Sequence, residues 1–298
     1  MLIITASLLV GAATYAYYQF SGSDFDPGLT QVRSHDMGVA LGDSQTVDGI
    51  TVTLDWAYAD AHRINISLSF AAENVISIPD SFSRDIRLTD SHGNEFPVIF
   101  GGGGWGGGGG GGGSGPAITA SPVMNWNGTF SENFDASRAK NIPAELDLHL
   151  DLLLHPSWAG NETVAGPFAF DFTVPMIPAV IVRPETTVTA RGIAATLHRV
   201  SFTPSSTKAY LCFEWSSGST WLPVATLDTG DRRVNNLDFS PPLNVTGQQL
   251  CGVLDFLAPY DRQPESWVLT IEQLQSIPAE TPDQLMGPWV FPIEVPES

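Results

Sequence analysis

Apolar and polar residues alternate along several stretches of this chain, with the period of two that a strand with one buried face produces. The alternation is clear at residues 63–70 (RINISLSF), 144–152 (AELDLHLDL) and 168–174 (FAFDFTV). Turn sequences such as 91–94 (SHGN) and 228–231 (DTGD) separate these runs, and long stretches with a 3.6-residue period are absent. The pattern predicts an all-β protein.

The chain contains two copies of one unit. Residues 49–54 (GITVTL) match residues 192–197 (GIAATL), and residues 166–175 (GPFAFDFTVP) match residues 287–296 (GPWVFPIEVP). At the spacing of the second match, Leu146, Leu148 and Leu150 align with Trp267, Leu269 and Ile271. Repeats of this size, with about seven strands each, are typical of immunoglobulin-like β-sandwiches. We therefore predict two tandem domains, at residues 36–175 and 178–298.

The first copy is the longer one, and a glycine-rich run at residues 101–115 lies in the extra length. This run carries one large side chain, Trp105. Because glycine has little to bury and much backbone entropy to lose, the run predicts a mobile loop between two strands. A phosphate-binding loop is the alternative, but it requires a following helix and usually a lysine, and the sequence supplies neither.

The chain begins with an uncharged segment at residues 2–20 (LIITASLLVGAATYAYYQF). As a helix this segment would span roughly 28 Å, about the thickness of the hydrocarbon core of a bilayer. Its terminal aromatic residues and the acidic, turn-rich sequence after it suit the non-cytoplasmic side of a membrane. We predict a transmembrane anchor at residues 1–20, a linker at residues 21–35, and an extracytoplasmic remainder. A cleaved signal peptide and a buried soluble helix are the alternatives.

The composition is acidic and argues against several function classes. Thirteen Lys and Arg residues stand against 32 Asp and Glu residues, so a net charge of −19 disfavours nucleic acid as a partner. HExxH, GxSxG and CxxC motifs are absent, so we predict neither an enzyme nor a metal or cofactor site. His149, Asp147 and Asp151 occupy the polar positions of one alternating strand, where solvent exposure is expected; Asp24 and Asp26 fall in the linker. Calcium held by loop carboxylates is an alternative use of the acidity.

The two cysteines, Cys212 and Cys251, both lie in predicted strands of the second copy. Alternation puts Leu211 and Phe213 on the core side and Cys212 on the other, and it places Cys251 outward in the same way. We predict a disulfide between neighbouring strands of one sheet, near its outer face, because oxidation is favoured outside the cytoplasm. Two free thiols are the alternative.

The start of the first copy resembles a known family. Residues 44–54 (SQTVDGITVTL), followed by the alternating strand at 63–70, resemble the beginning of an uncharacterised bacterial ectodomain family found in membrane proteins associated with sigma factors. Residues 168–196 resemble the entry to the second immunoglobulin-like domain that often follows. The resemblance implies a single-pass membrane protein whose outer region senses or transmits a signal, with a link to sigma-factor regulation. It implies no catalytic residues.

These observations predict a non-enzymatic sensory or protein-interaction region of a bacterial membrane protein, with an extracellular ligand or protein as its unknown partner. The main alternative is an adhesin or a carbohydrate- or wall-binding module. Such a module would use exposed aromatic residues, for which Trp56, Trp126, Trp158 and Trp221 are the candidates. A secreted hydrolase and a structural stalk are further alternatives.

Overall fold

The computed structural model describes residues 26–75, 82–99, 124–138, 143–156, 164–214, 220–240, 249–261, 266–277 and 284–296. The chain divides into two compact units. The first comprises Met1–Asp26 and Arg33–Ile177, and the second comprises Pro27–Val32 and Pro178–Ser298. The long segment of the second unit begins at Pro178.

The first unit contains eight described strands in two sheets packed around one core. One sheet has the order β1-β2-β3-β6 and the other β5-β4-β7-β8; a short parallel pairing of β2 with β8 joins them. Core side chains come from both sheets, among them Leu54 and Ile66 from one and Leu150 and Phe170 from the other. The strands are β1 (Val39–Val47), β2 (Ile50–Asp60), β3 (Arg63–Val75), β4 (Phe82–Asp90), β5 (Glu95–Phe96), β6 (Met124–Asp135), β7 (Glu145–Pro156) and β8 (Ala165–Ile177).

The second unit repeats this arrangement. Its sheets have the orders β10-β11-β12-β16-β15, with β9 added on β11, and β14-β13-β17-β18. Leu211 and Leu254 from one sheet meet Ile271 and Phe291 from the other in a second core. The strands are β9 (Val180–Val182), β10 (Thr186–Ala190), β11 (Ile193–Phe202), β12 (Thr207–Glu214), β13 (Thr220–Asp228), β14 (Arg233–Asn235), β15 (Asp238–Ser240), β16 (Gln249–Phe256), β17 (Ser266–Ile277) and β18 (Gln284–Glu294).

The turn that opens each copy has the same geometry. Asp48 and Gly49 connect β1 to β2 with φ values of 50° and 78°, and Arg191 and Gly192 connect β10 to β11 with 52° and 79°. Two successive residues with positive φ make the tight hairpin turn whose twist matches the flanking strands, and glycine adopts this conformation without a steric penalty. The matched glycines of the sequence repeat are thus equivalent in the structure.

One part of the sequence alignment between the copies is wrong by two residues. Leu148 pairs with Phe172 in the first unit, whereas Trp267 pairs with Ile293 in the second. Phe172 and Ile293 are equivalent in the repeat, so Leu148 corresponds to Trp267, not to Leu269. A shift of two residues leaves every side chain on the same face of a strand, so the alternating pattern could not reveal it.

A short helix, α1 (Pro27–Ser34), lies where the sequence predicts a linker. Proline at its first position and Arg33 in its last turn both favour a helix there. Its buried residues are Gly28, Leu29 and Val32. In the described ranges, no helix has the length and apolarity that crossing a bilayer requires. The predicted anchor at residues 1–20 lies outside the described residues.

Candidate functional site

The outer surface of β4, β7 and β8 in the first unit carries a group of ionisable side chains, which we call the acidic face. Strand alternation creates it: Leu146, Leu148 and Leu150 of β7 point into the core, so the residues between them point outward. The acidic face consists of Asp85, Glu145, Asp147, His149, Asp151, His155 and Asp171. It also includes one cation, Arg87, which lies opposite Asp151 and pairs with Glu95. The sequence predicts solvent exposure for His149, Asp147 and Asp151, and the structure places all three outward.

His149 is the centre of this face. Its Nδ1 lies 2.6 Å from Oδ1 of Asp171, and its Nε2 lies 3.2 Å from Oδ1 of Asp151. Carboxylates only accept hydrogen bonds, so both contacts form only when both ring nitrogens carry a proton. The hydrogen bond with Asp171 is the main reason why the pKa of His149 is raised above its ordinary value; the bond with Asp151 adds to it, and desolvation opposes both. The histidine is 41% exposed, so solvent weakens each of these interactions.

A shallow depression of ≈ 270 Å³ adjoins His149. Asp90, Asp147, Asp171 and Thr173 are among the residues that line it. The Thr173 hydroxyl donates to Asp147 over 2.7 Å, so this threonine is directed to a carboxylate and not to the histidine. In the portion of the chain that the structure describes, no three His, Cys, Asp or Glu side chains are grouped so that they could hold a metal ion. Leu148 and Phe172 also line the depression, so its surface combines carboxylates with apolar groups.

The second unit contains the predicted disulfide. Cys212 of β12 and Cys251 of β16 face each other directly across the two strands, and their sulfur atoms are bonded. Cys212 is buried and Cys251 is half-buried, and neither belongs to the apolar core. The predicted bond between neighbouring strands of one sheet is confirmed, and Cys212, expected near the outer face, is buried.

A buried polar network lies at the end of the first unit where β2 turns into β3. The Asp60 carboxylate accepts hydrogen bonds from the Tyr58 hydroxyl at 2.7 Å and from the His62 and Arg63 amides at 2.8 and 2.9 Å. The Arg63 guanidinium in turn donates two hydrogen bonds to Asp26. Burial lowers the pKa of Arg63, but Asp26, and Asp60 to a smaller degree, outweigh it and leave that pKa above its ordinary value.

Little in the sequence pattern indicates this network. It placed Asp26 in the linker and Arg63 as the first residue of a strand, and nothing in the spacing connects the two. The one available signal is the Asp26-Pro27 pair, since an aspartate before a proline is a common helix start.

The aromatic candidates do not form one exposed row where the structure describes their side chains. Trp56 is half-buried, stacks beside Tyr58 with ring centres 6.1 Å apart, and lies 4.8 Å from the Arg33 guanidinium. Trp221 is half-buried and packs against the core of the second unit. The side chain of Trp126 lies outside the described residues, as do all of Trp158, Asp24 and the run 101–115 with Trp105.

Comparison with known proteins gives a fold and no family. No protein-family model and no curated protein matches this chain. A crystal structure of a conserved domain protein from Bacillus anthracis is similar to it, with a TM-score of 0.51 and 12% sequence identity, over 86% of this chain and 91% of that one. At this identity the likeness concerns the fold alone.

Proposed function

We propose that this chain is the extracytoplasmic sensory or protein-interaction region of a single-pass bacterial membrane protein, anchored through residues 1–20. The observation that carries the proposal is the disulfide between Cys212 and Cys251, the only two cysteines of the chain. Disulfides of this structural kind persist in oxidising compartments and are rare in the bacterial cytoplasm. As a transmembrane anchor, the uncharged segment at residues 2–20 would place both units in such a compartment, outside the cytoplasm.

We further propose that both units are immunoglobulin-like domains. In the first unit β2, β3 and β6 form one sheet, and β4, β7 and β8 form the core of the other. This order corresponds to strands A, B and E facing strands C, F and G of an immunoglobulin domain, with β5 beside β4 as an additional edge strand. The second unit has the same order. The resemblance at residues 44–54 supports the same assignment and, with it, a link to sigma-factor regulation.

The acidic face favours binding over catalysis as the role of the first unit. Its carboxylates are spread over three strands and are held by histidine and threonine side chains, not gathered in a closed cleft. Such a surface suits electrostatic recognition of a partner that carries positive charge.

The proposal is tested by thiol trapping in a bacterial host that expresses the full chain. Rapid acid quenching, followed by a maleimide that adds mass to each free thiol, should leave Cys212 and Cys251 unmodified, and prior reduction should add two labels. A variant without residues 1–20 is the matched control, and its cysteines should be labelled without reduction. A reporter fused after Ser298 should be active only outside the cytoplasm. Free thiols in the full chain, or a reporter active only in the cytoplasm, would overturn the proposal.

A further inference from the structure

The outer surface of β13, β17 and β18 in the second unit is largely uncharged, and we call its centre the neutral face. The neutral face consists of Thr226, Val268, Thr270, Met286, Pro288, Val290 and Pro292. Strand pairing places Thr226, Thr270 and Val290 side by side across the three strands. Met286 and Val290 are 53% and 42% exposed, although both side chains are apolar. Adjoining apolar side chains at such exposure are typical of an interaction site.

The first unit carries ionisable residues at the equivalent positions. Val268 takes the place of His149, Thr270 that of Asp151, and Pro292 that of Asp171. Both surfaces form the outside of the same sheet of the repeat, so the fold itself does not require uncharged residues there. Contact with another molecule accounts for the difference, because the outer positions of a sheet with one buried face are otherwise polar.

Charged side chains border the neutral face, and their signs differ between its two edges. Where the structure describes this surface, they are Asp228, Arg233, Glu272 and Glu294. Arg233 of β14 lies at one edge, and its side chain is 76% exposed although its Nε donates to Asp228. Glu294 of β18 lies at the opposite edge, and Glu272 accepts a hydrogen bond from the Thr226 hydroxyl over 3.3 Å. The border thus has an exposed cation on one side and an exposed acid on the other.

This pattern is complementary to itself. When two copies pack face to face about a two-fold axis parallel to the strands, β14 of each copy lies over β18 of the other, and Arg233 approaches Glu294 twice. Two chains of net charge −19 repel each other, so an uncharged centre with this border is a surface on which they can meet. Strand pairing along the free edge of β18 is disfavoured, because Pro288 and Pro292 have no amide proton to donate.

We propose that the neutral face is the contact surface between two copies of this chain, packed face to face about a two-fold axis. Its strands lie about 4.8 Å apart and have up to 12 residues, so three of them cover roughly 500 Å². Two copies would together bury about 1,000 Å², near the lower limit for specific interfaces. The dimer should therefore form with micromolar affinity. This contact goes beyond the proposed function and does not depend on the anchor.

Sedimentation velocity of the full chain, purified in a mild detergent, measures the association. The protein mass of the complex should double as the concentration is raised through the micromolar range. Val290→Asp places a carboxylate inside the contact and should weaken association by about tenfold or more, since that charge would be buried without a partner. Leu237→Asp is the matched control and should associate like the wild type, because Leu237 is 57% exposed but lies outside the neutral face.

The two variants also exclude other causes of association. Residues 1–20 are the same in all of them, so a dimer formed through that segment would survive Val290→Asp. Circular dichroism and an intact disulfide confirm that each variant is folded.

Exchanging charges tests the two-fold arrangement. Arg233→Glu and Glu294→Arg should each weaken association, because each brings two like charges together across the contact. The variant that carries both substitutions regains opposite charges and should associate more strongly than either single variant.

Cross-linking gives an independent measurement. Thr270→Cys, in the middle of the neutral face, should form covalent dimers with a short bismaleimide whose span matches the roughly 10 Å between packed sheets. The native cysteines are bonded to each other and do not react. Asp151→Cys, at the equivalent position of the first unit, is the control and should remain monomeric.

The outcomes decide the proposal. A chain that stays monomeric throughout the micromolar range, or a dimer that Val290→Asp leaves unchanged, would overturn it, and so would equal cross-linking from residues 151 and 270. If the double charge exchange associates no better than the single variants, the two-fold arrangement is wrong.

Discussion

At Ala169, a side chain of β1 bonds the edge of β8, and removing that side chain gives a sharp test of the structure. The Gln45 amide of β1 donates from Nε2 to the carbonyl of Ala169, and its Oε1 accepts from the Ala169 amide at 3.0 Å. Gln45 thus makes the two hydrogen bonds to Ala169 that the backbone of a neighbouring strand would otherwise make. We predict that Gln45→Val opens this contact, because valine offers neither a donor nor an acceptor.

The expected cost follows from the two lost hydrogen bonds. Each contributes about 0.5–1.5 kcal/mol net in a folded protein. Gln45 is half-buried, and water can replace part of what is lost, so the free energy of unfolding of the first unit should fall by about 1–2 kcal/mol. Gln45→Glu keeps the acceptor but sets a carboxylate against the Ala169 carbonyl, so it should be no more stable than the valine variant.

Hydrogen exchange at the Ala169 amide is the most direct assay. In the wild type this amide is protected by the Gln45 oxygen, so its exchange in Gln45→Val should accelerate by about tenfold or more, in line with a loss of about 1.4 kcal/mol. Thr46→Val, which removes a neighbouring surface contact with Thr51, is the control and should leave the Ala169 amide protected. Unchanged exchange in Gln45→Val would refute the proposed role of this side chain.

Three further predictions concern other contacts. Replacing Cys212 and Cys251 by alanine should lower the free energy of unfolding by about 4 kcal/mol, from the 39-residue separation they bridge, and equal denaturation midpoints would contradict this. Gly38→Ala would place a methyl group 2.2 Å from the Trp56 ring, so it should cost about 1–3 kcal/mol and alter near-ultraviolet circular dichroism. Asp171→Asn should lower the pKa of His149, which an NMR titration measures. In the wild type, the stability that this histidine contributes is fully present below pH 6.5. It is lost as the pH rises through the raised pKa of the folded state.

The sequence predicted those features that depend on local pattern. Alternation identifies β7 and the inward Leu148, and it sets Cys212 on the side away from the core, because a strand has a period of two whatever its surroundings. The turns predicted at residues 91–94 and 228–231 contain Gly93 and Gly230, and both glycines have positive φ. Predicting the disulfide needed only this pattern together with the expectation of an oxidising location.

Features that depend on contacts between distant residues were not predictable in this way. The alignment of Leu148 with Trp267 needed strand pairing, because a shift by two residues is invisible to the alternating pattern. Helix α1 has eight residues, too few to establish a 3.6-residue period, and the sequence reads as a linker. The Asp26–Arg63 pair joins residues 37 positions apart with no motif between them.

Comparing the two copies shows what the edge contact of Gln45 adds to the fold. At the equivalent position of the second unit is Val188, which packs against the apolar core. Val290, the equivalent of Ala169 in the repeat, is 42% exposed. Both units form the same sheets, so the glutamine is not required for the strand order. Its role is local: it bonds the backbone amide and carbonyl of Ala169 in β8. The sequence signal of this role is that Gln45 alternates together with Leu41 and Val47, the residues of β1 that pack against the core. A strand normally keeps a core-facing position apolar unless the polar side chain there has a hydrogen-bond partner.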